Sequence, residues 1–507
     1  MHCSADTQSV NVMGAHPGSY ARTTPRITTP AMVTPVRAKP KLDVLRISLC
    51  ILIVMSVSHI QQQYSVLEAL RPGLLFTVLA LVSAFSNPKA LANGAWMRRW
   101  PAKIMAALLV ASLASIVFGI SQGGAWWFFS NFFWKVLVTA FLLMAAIRNV
   151  RDLMLFAWAY VVGSGILVYM ALFVFKMKAE ANGITRLSNL DTWDANDVCV
   201  LLLIGLAFCF LFLRTSKGIG KLAVGIIALG IGAAIARSGS RGGFLGLASF
   251  LIAYLLSMKG SAKIRGSLLV AAVGVALMVG APPGYWKQMN TLTSAKKDYN
   301  WDEAQGRRQL AMRGMGYMWS FPVFGLGIGN FGRAEGTISP IAGMKGTRWS
   351  APHNSYVEAG AELGVAGFVL FLWLVAGSIV APWRLRKLVP PEWEQGDAEE
   401  RLLFNVALYL PLCGVGFAIP AFFVSFAYLD PIYIVAAMSG AFAIALENRL
   451  RERARGVAVP GASRFQRVAG SSLATPRVAP TASGRGAKIV IRWAPSPVPD
   501  PAKPPAR

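Results

Sequence analysis

Charge is scarce in this 507-residue chain: Asp, Glu, Lys and Arg make up 14% of it, against roughly 25% in an ordinary soluble protein. Hydrophobic residues make up 55%. That balance excludes a string of soluble domains and leaves an integral membrane protein. Acidic residues are the scarcest charges, with 23 Asp and Glu against 50 Lys and Arg, for a formal charge of +27. In a soluble protein such an excess would suggest nucleic acid. In a membrane protein Lys and Arg collect in the cytoplasmic joints, so no nucleic-acid partner is expected. The five cysteines form no C-x-x-C pair and sit mostly in apolar stretches, which argues against a disulfide framework or a zinc site. No apolar run begins before Leu42, so the start of the chain does not read as a signal peptide.

What is abundant is apolar stretches near the roughly 20 residues that cross the hydrocarbon core. They fall at 43–60, 67–86, 103–121, 126–147, 153–175, 197–213, 219–236, 243–258, 266–281, 364–383, 402–425 and 429–447. The expected fold is all-α, a polytopic transmembrane bundle of about twelve spans. The joints alternate as the positive-inside rule requires. Basic groups such as Arg148/Arg151, Arg214/Lys217/Lys221, Lys259/Lys263/Arg265 and Arg384/Arg386/Lys387 follow the even-numbered spans, while the joints after spans one, three and eleven hold almost none beyond Arg71. Both termini are therefore expected in the cytoplasm. The organisation reads as a disordered arm (1–40), spans one to nine (41–281), a large periplasmic loop (282–363), spans ten to twelve (364–450), and a basic tail (451–507) that is solvated or lies on anionic lipid.

Several outward segments carry residues suited to chemistry. In RSGSRGGFLG (237–246), Arg237 and Arg241 stand beside Gly239, Gly242 and Gly243. Two guanidinium forks could converge there on a phosphate-rich ligand, with the glycines letting backbone come close. The alternative is that both arginines snorkel to lipid headgroups. APHNSYVEAGAELGVAGFVLFL (351–372) runs from the large loop into span ten, with Glu358 and Glu362 one turn apart. Of the four histidines, His2 and His16 lie in the arm and His59 ends span one. That leaves His353 where a general base could meet an extracytoplasmic substrate, or where a histidine could cap the helix. The glycines of FPVFGLGIGNFG (321–332) lack the βαβ context of a dinucleotide site and predict a tight loop near the head of span ten. GRRQLAMRGMGYMW (306–319) sets Arg307, Arg308 and Arg313 on a helical pattern, for which a solvated cationic face is the plainer reading. RLSNLDTWDANDV (186–198) places Arg186, Asp191, Asp194, Asn196 and Asp197 just before span six. Asp194 or Asn196 can cap that span and still touch substrate. The outer acidic residues Asp298, Asp302, Glu303 and Glu335 form no DxD-type or His-rich metal motif, so neither metal nor cofactor is expected.

Together these segments resemble the O-antigen ligase and polymerase superfamily of bacterial envelope glycosyltransferases. The resemblance rests on SRGGFLG after an outward span, PVFGLGIGNF in the large loop, and HNSYVEAGAELGVAGFVLFL entering the next span. WDAND is similar to the family's D-P-N-like element, with Ala195 where proline is usual. The resemblance implies an inner-membrane enzyme that moves a glycan from an undecaprenyl-diphosphate carrier to lipid A core, a growing glycan or a protein hydroxyl. It maps the family's loop histidine onto His353 and its Ser-Arg-Gly arginine onto Arg241, with Arg237, Arg307 and Arg308 matching less closely. Arg186, Asp194, Asn196, Glu358 and Glu362 are further substrate-binding candidates. Arginines would stabilise the departing diphosphate, and His353 would assist the acceptor hydroxyl in a single inverting displacement. A ligase is the reading carried forward, and a polymerase with the same donor is the alternative. A lipid-linked oligosaccharide flippase is the alternative of another class. It would favour pseudo-symmetric halves and deep charges, whereas no repeat is found and Lys135 is the one clear deep charge.

Overall fold

Hydrocarbon cannot satisfy backbone N–H and C=O groups, so a chain this apolar must close its hydrogen bonds within each segment. A computed structural model describes residues 43–88, 91, 94–179, 185–188, 194–290, 292, 306–343 and 349–454. The expected arm, the tail beyond 454, Asp191, Asp298, Asp302 and Glu303 lie outside the described residues. Every expected span has a helix at its position: α1 (Val44–Ser58), α2 (Pro72–Ser86), α3 (Trp100–Phe118), α4 (Gln122–Ala146), α5 (Val150–Val174), α6 (Ala195–Thr215), α7 (Gly218–Ser238), α8 (Arg241–Ser257) and α9 (Ser261–Gly280). Between the last of these and the remaining spans lie further helices, among them α10 (Arg307–Ser320) and α11 (Phe331–Thr337). They are followed by α12 (Ser355–Arg386), α13 (Ala398–Ala418) and α14 (Asp430–Ala454). Among the described residues nine helices are long and apolar enough to cross a membrane, with α1, α2 and α8 shorter.

One feature departs from the sequence reading. The joint after α5 is not simply a loop, because Lys176–Ala179 (β1) pairs antiparallel with Thr185–Ser188 (β2), setting Arg186 opposite Lys178. The helix expected to start near His353 begins at Ser355 and runs on through span ten. The helices α6 and α14 form the buried centre, whereas α9 leaves Leu268, Val275 and Val279 exposed.

Buried ion pairs gather at one end of the bundle, where the sequence reading expects the cytoplasm. Arg46, fully buried, donates from Nε to Asp152 at 3.1 Å and from Nη2 to the Ala146 carbonyl at 2.6 Å. Arg449 reaches Asp397 and Glu400, and Arg453 donates to Glu400 at 2.6 Å. A charge left unpaired at such a place is costly, so these contacts fix how the helix ends meet. Lys135 lines a cavity together with Asp430, whose carboxylate accepts from Ser56 at 2.8 Å.

At the other end, α12 is opened rather than continuous. Gly364 takes φ 73° and ψ −169° inside it, a left-handed-side conformation suited to glycine. The carbonyls freed by the break accept from the preceding loop: Leu326 N–H binds Ala361 O at 2.9 Å and Gly327 N–H binds Glu362 O at 3.0 Å. In return Val365 N–H donates to Pro322 O at 2.9 Å. Gly325 sits so close that an added Cβ would lie 2.3 Å from the Glu362 carbonyl carbon. The expected tight loop at the head of span ten is thus knitted into the helix ladder itself.

The alternating basic joints set a direct test. Reporter fusions after Thr215, Gly260 and Arg386 should report cytoplasm, and one after Pro340 should report periplasm. A cytoplasmic signal at Pro340 would put His353 on the wrong side for any extracytoplasmic chemistry.

Candidate functional site

The start of α6 is locked by its own residues. Asp194 is the N-cap, accepting from Asn196 N–H at 2.5 Å and Asp197 N–H at 3.1 Å, while Asp197 returns the bond to Asp194 N–H at 2.8 Å. This capping box satisfies donors that the first turn would otherwise leave open. Asn196 then ties α6 to α8: its Oδ1 accepts from Ser240 Oγ at 2.6 Å, and Ser240 caps α8 by accepting from Gly243 N–H at 2.8 Å. The expected cap is found at Asp194, and Asn196 serves to tie two helices together.

The glycines beside Arg241 have a different use from the one expected. A Cβ on Gly243 would lie 2.4 Å from Cys199 Sγ, and one on Gly242 would lie 2.7 Å from the Phe423 ring. They bring α8 against α6 and the α13–α14 joint rather than bringing backbone to a ligand. Gly239 ends α7 with φ 62°, so the helical register breaks between the two arginines. Arg241 opens α8, whereas Arg237 donates to the Leu172 carbonyl at 2.5 Å and ties α7 to the end of α5.

The His353 segment is pinned to residues 418–427. His353 N–H donates to Ser425 Oγ at 3.0 Å, and Ser355 Oγ donates to Val424 O at 2.8 Å while accepting from Phe426 N–H at 2.9 Å. Tyr356 OH donates to Ala418 O at 2.9 Å. The N-cap of α12 is Asn354, whose Oδ1 accepts from Tyr356 and Val357 N–H at 3.1 Å each. His353 is therefore not the cap. It holds φ 47°, a left-handed conformation that a residue with a Cβ keeps only when its surroundings impose it. Among the described residues no hydrogen-bond partner engages its imidazole.

Electrostatics shows which side chains lie near one another. Arg307, at the start of α10, is within range of Asp194, Arg186, Arg241 and Asp197. Burial, reinforced by Arg186 and Arg241, presses its pKa below the ordinary arginine value against the pull of Asp194 and Asp197. The guanidinium stays charged all the same. Burial, then Arg307, likewise holds His353 below the ordinary histidine value, opposed by Asp194. Arg186, Asp194, Asp197, Arg241, Arg307 and His353 thus form one cluster drawn from five stretches of chain. It pairs an imidazole neutral near pH 7 with several cations, a combination suited to accepting a proton beside an anionic group.

Other expected residues are placed elsewhere. Arg308 is exposed beside Arg307. Glu362 accepts from Gly329 N–H at 2.7 Å and Phe331 N–H at 2.9 Å, and Glu358 accepts from Ala427 N–H at 2.9 Å, so both carboxylates hold backbone. Arg313 does not lie on a solvated face, since Nη2 donates to buried Glu335 at 2.6 Å. The sequence reading missed Ser425 and its neighbours, which support His353. They lie in a joint without charge, where nothing in the pattern distinguishes them.

Comparison with known proteins yields no match among the curated ones. The family model described as O-Antigen ligase does match, over residues 226–372. The matched stretch takes in Arg241, Arg307 and His353 and stops short of the α6 cap. The chain, a polytopic bundle of apolar helices, thereby carries a domain of the O-antigen ligase and polymerase superfamily.

Proposed function

We propose that the chain is a ligase of the O-antigen type, moving a glycan from an undecaprenyl-diphosphate carrier to an acceptor hydroxyl at the periplasmic face. The observation that carries this reading is the strained, uncapped His353, neutral beside Arg307. A lipid diphosphate is already a good leaving group, so the transition state needs cations around the departing oxygens and a base for the incoming hydroxyl. Arg241 and Arg307, with Arg186 at the hairpin, supply the first. His353 supplies the second by taking the acceptor's proton as its oxygen bonds to the anomeric carbon and the bond to the diphosphate oxygen breaks, which inverts that carbon. Asp194 and Asn196 hold the cluster in place.

An apolar groove of about 540 Å³ begins at Asn354, the residue after His353. It continues along α12 past Phe368, Leu372 and Val375 to Ile379. Its position suits the carrier's polyprenyl chain, which must lie in hydrocarbon while the diphosphate sits among the arginines. The glycans of a deletion strain test the assignment. Long polymer retained on the carrier and lost from its acceptor supports a ligase, whereas single repeat units on the carrier would identify a polymerase.

His353→Ala should lower transfer by on the order of 10²-fold or more with insertion intact. His353→Gln, which keeps a hydrogen bond but takes no proton, should fail equally at the chemical step. In the wild-type enzyme kcat/KM should fall on the acid side, with a midpoint below the ordinary histidine value because burial and Arg307 disfavour protonation. Near-normal turnover by the Gln variant would reduce His353 to positioning the acceptor.

Arg241→Lys should cost on the order of 10-fold at matched protein level, since a point charge replaces a two-pronged fork. Unchanged transfer by the Lys variant would return Arg241 to the role of a headgroup anchor.

A further inference from the structure

The helices that carry the site shape a second cavity at their far ends. α6 has 21 residues, about 31 Å at ~1.5 Å per residue, which matches the thickness of the hydrocarbon core. Asp194 caps its first turn, and Phe210 and Arg214 near its last turn line the second cavity. α8 likewise starts at Arg241 and presents Tyr254 to the same space. The cavity therefore opens in the leaflet opposite the reaction cluster, a placement that does not depend on the proposed reaction.

Its volume is about 590 Å³, and its walls are of two kinds. One wall is cationic, with Arg214, Lys221, Arg265 and Arg401. The one carboxylate on the lining, Glu394, is already paired with Arg214. Among the described residues no carboxylate pairs with Lys221 or Arg265. The other part of the lining is apolar, formed by Phe210 and by Leu269 of α9, a helix that leaves Leu268, Val275 and Val279 exposed. At the back lies Asn405, only 7% exposed. Its Nδ2 is spent on the Arg401 carbonyl at 2.6 Å, while its Oδ1 is buried without a hydrogen-bond partner. A buried acceptor of this kind is open to a donor entering the cavity.

We infer that this cleft binds an anionic diacylglycerophospholipid whose headgroup carries a free hydroxyl. The phosphate sits among Lys221, Arg265 and Arg401, the hydroxyl donates to Asn405 Oδ1, and an acyl chain follows Phe210 and Leu269. A zwitterionic lipid would bring its own cation into the basic wall, and a soluble phosphate ester would leave the apolar wall uncovered. Basic pockets between membrane helices at the inner leaflet are suited to anionic headgroups on these grounds.

The test is a lipid titration of the full chain, delipidated in detergent and followed by native mass spectrometry. Phosphatidylglycerol should bind at least about 10-fold more tightly than phosphatidylcholine of the same chains, and glycerol phosphate should not displace it. Lys221→Gln with Arg265→Gln, both exposed positions, should weaken phosphatidylglycerol by roughly 30-fold. Arg384→Gln with Lys387→Gln, exposed cations expected in the same leaflet, should leave binding unchanged. Equal loss in the two double variants would mean diffuse attraction to the leaflet and overturn the site. Unchanged binding in the first would overturn it as well. Displacement by glycerol phosphate alone would make it a phosphate-ester site and overturn the lipid assignment.

Discussion

The arrangement around His353 depends on a membrane helix that opens its own backbone. A continuous α-helix spends its interior N–H groups on its own carbonyls, each of which accepts from four residues on, and has no N–H to give a neighbouring loop. The left-handed break at Gly364 withdraws Val365 N–H to Pro322 and leaves Ala361 and Glu362 carbonyls free for Leu326 and Gly327. The Glu362 carboxylate then captures two more amides of the same loop, at Gly329 and Phe331. The loop is hydrogen-bonded into α12, and α10 packs against α12 with Arg307 in the cluster. Substitution at Gly364 or Gly325 would act on the site without touching it, since both positions combine a positive φ with backbone closer than a Cβ allows.

A second constraint joins the pieces that lie within the membrane. α6 and α8 approach closely because Gly243 faces Cys199, and at that junction the serines have little water to bond. Ser240 is satisfied by Asn196, and Ser238 shares a contact with Cys199 Sγ at 3.1 Å. The Asp194 cap and the Arg241 helix start are therefore fixed relative to one another by short polar bonds in a dry setting, where such bonds are worth most. On the proposed function the cluster needs that rigidity, since the guanidinium forks repel one another until a diphosphate arrives.

Much of this was legible from residue type and spacing. The spans follow from apolar runs of bilayer length, and His353 and Arg241 stand out as a rare histidine and a cation among glycines, whereas Arg307 reads as part of a solvated face and is instead buried in the cluster. What the pattern could not show was which polar groups the fold uses up. Arg237 and Arg241 look equivalent at a four-residue spacing, yet the αL break at Gly239 sends one to Leu172 and the other to the cluster. Glu358 and Glu362 look like acid–base candidates, yet the backbone amides they bind come from segments distant in sequence. Asn354, an ordinary cap beside an unusual histidine, decides that His353 is not a cap. The β1–β2 hairpin was illegible because it is short and lies between two strong helix signals.

The placement of a base among arginines carries its own electrostatic logic on the proposed reaction. In the free enzyme, burial and Arg307 keep the imidazole unprotonated, so it is available but a weak base. A doubly anionic diphosphate bound to Arg241 and Arg307 cancels much of the positive potential at His353 and raises its affinity for a proton. The base therefore strengthens when the donor is in place, as the acceptor hydroxyl must give up its proton. After the glycosidic bond forms, the freed diphosphate and the protonated imidazole are opposite charges in a poorly solvated space, which favours the transferred state over reversal until both leave. A lysine or a carboxylate at this position would lack that behaviour: the first would stay charged beside the arginines' acidic neighbours, and the second would bind them directly. Histidine alone can be neutral before the donor binds and cationic once the chemistry is done.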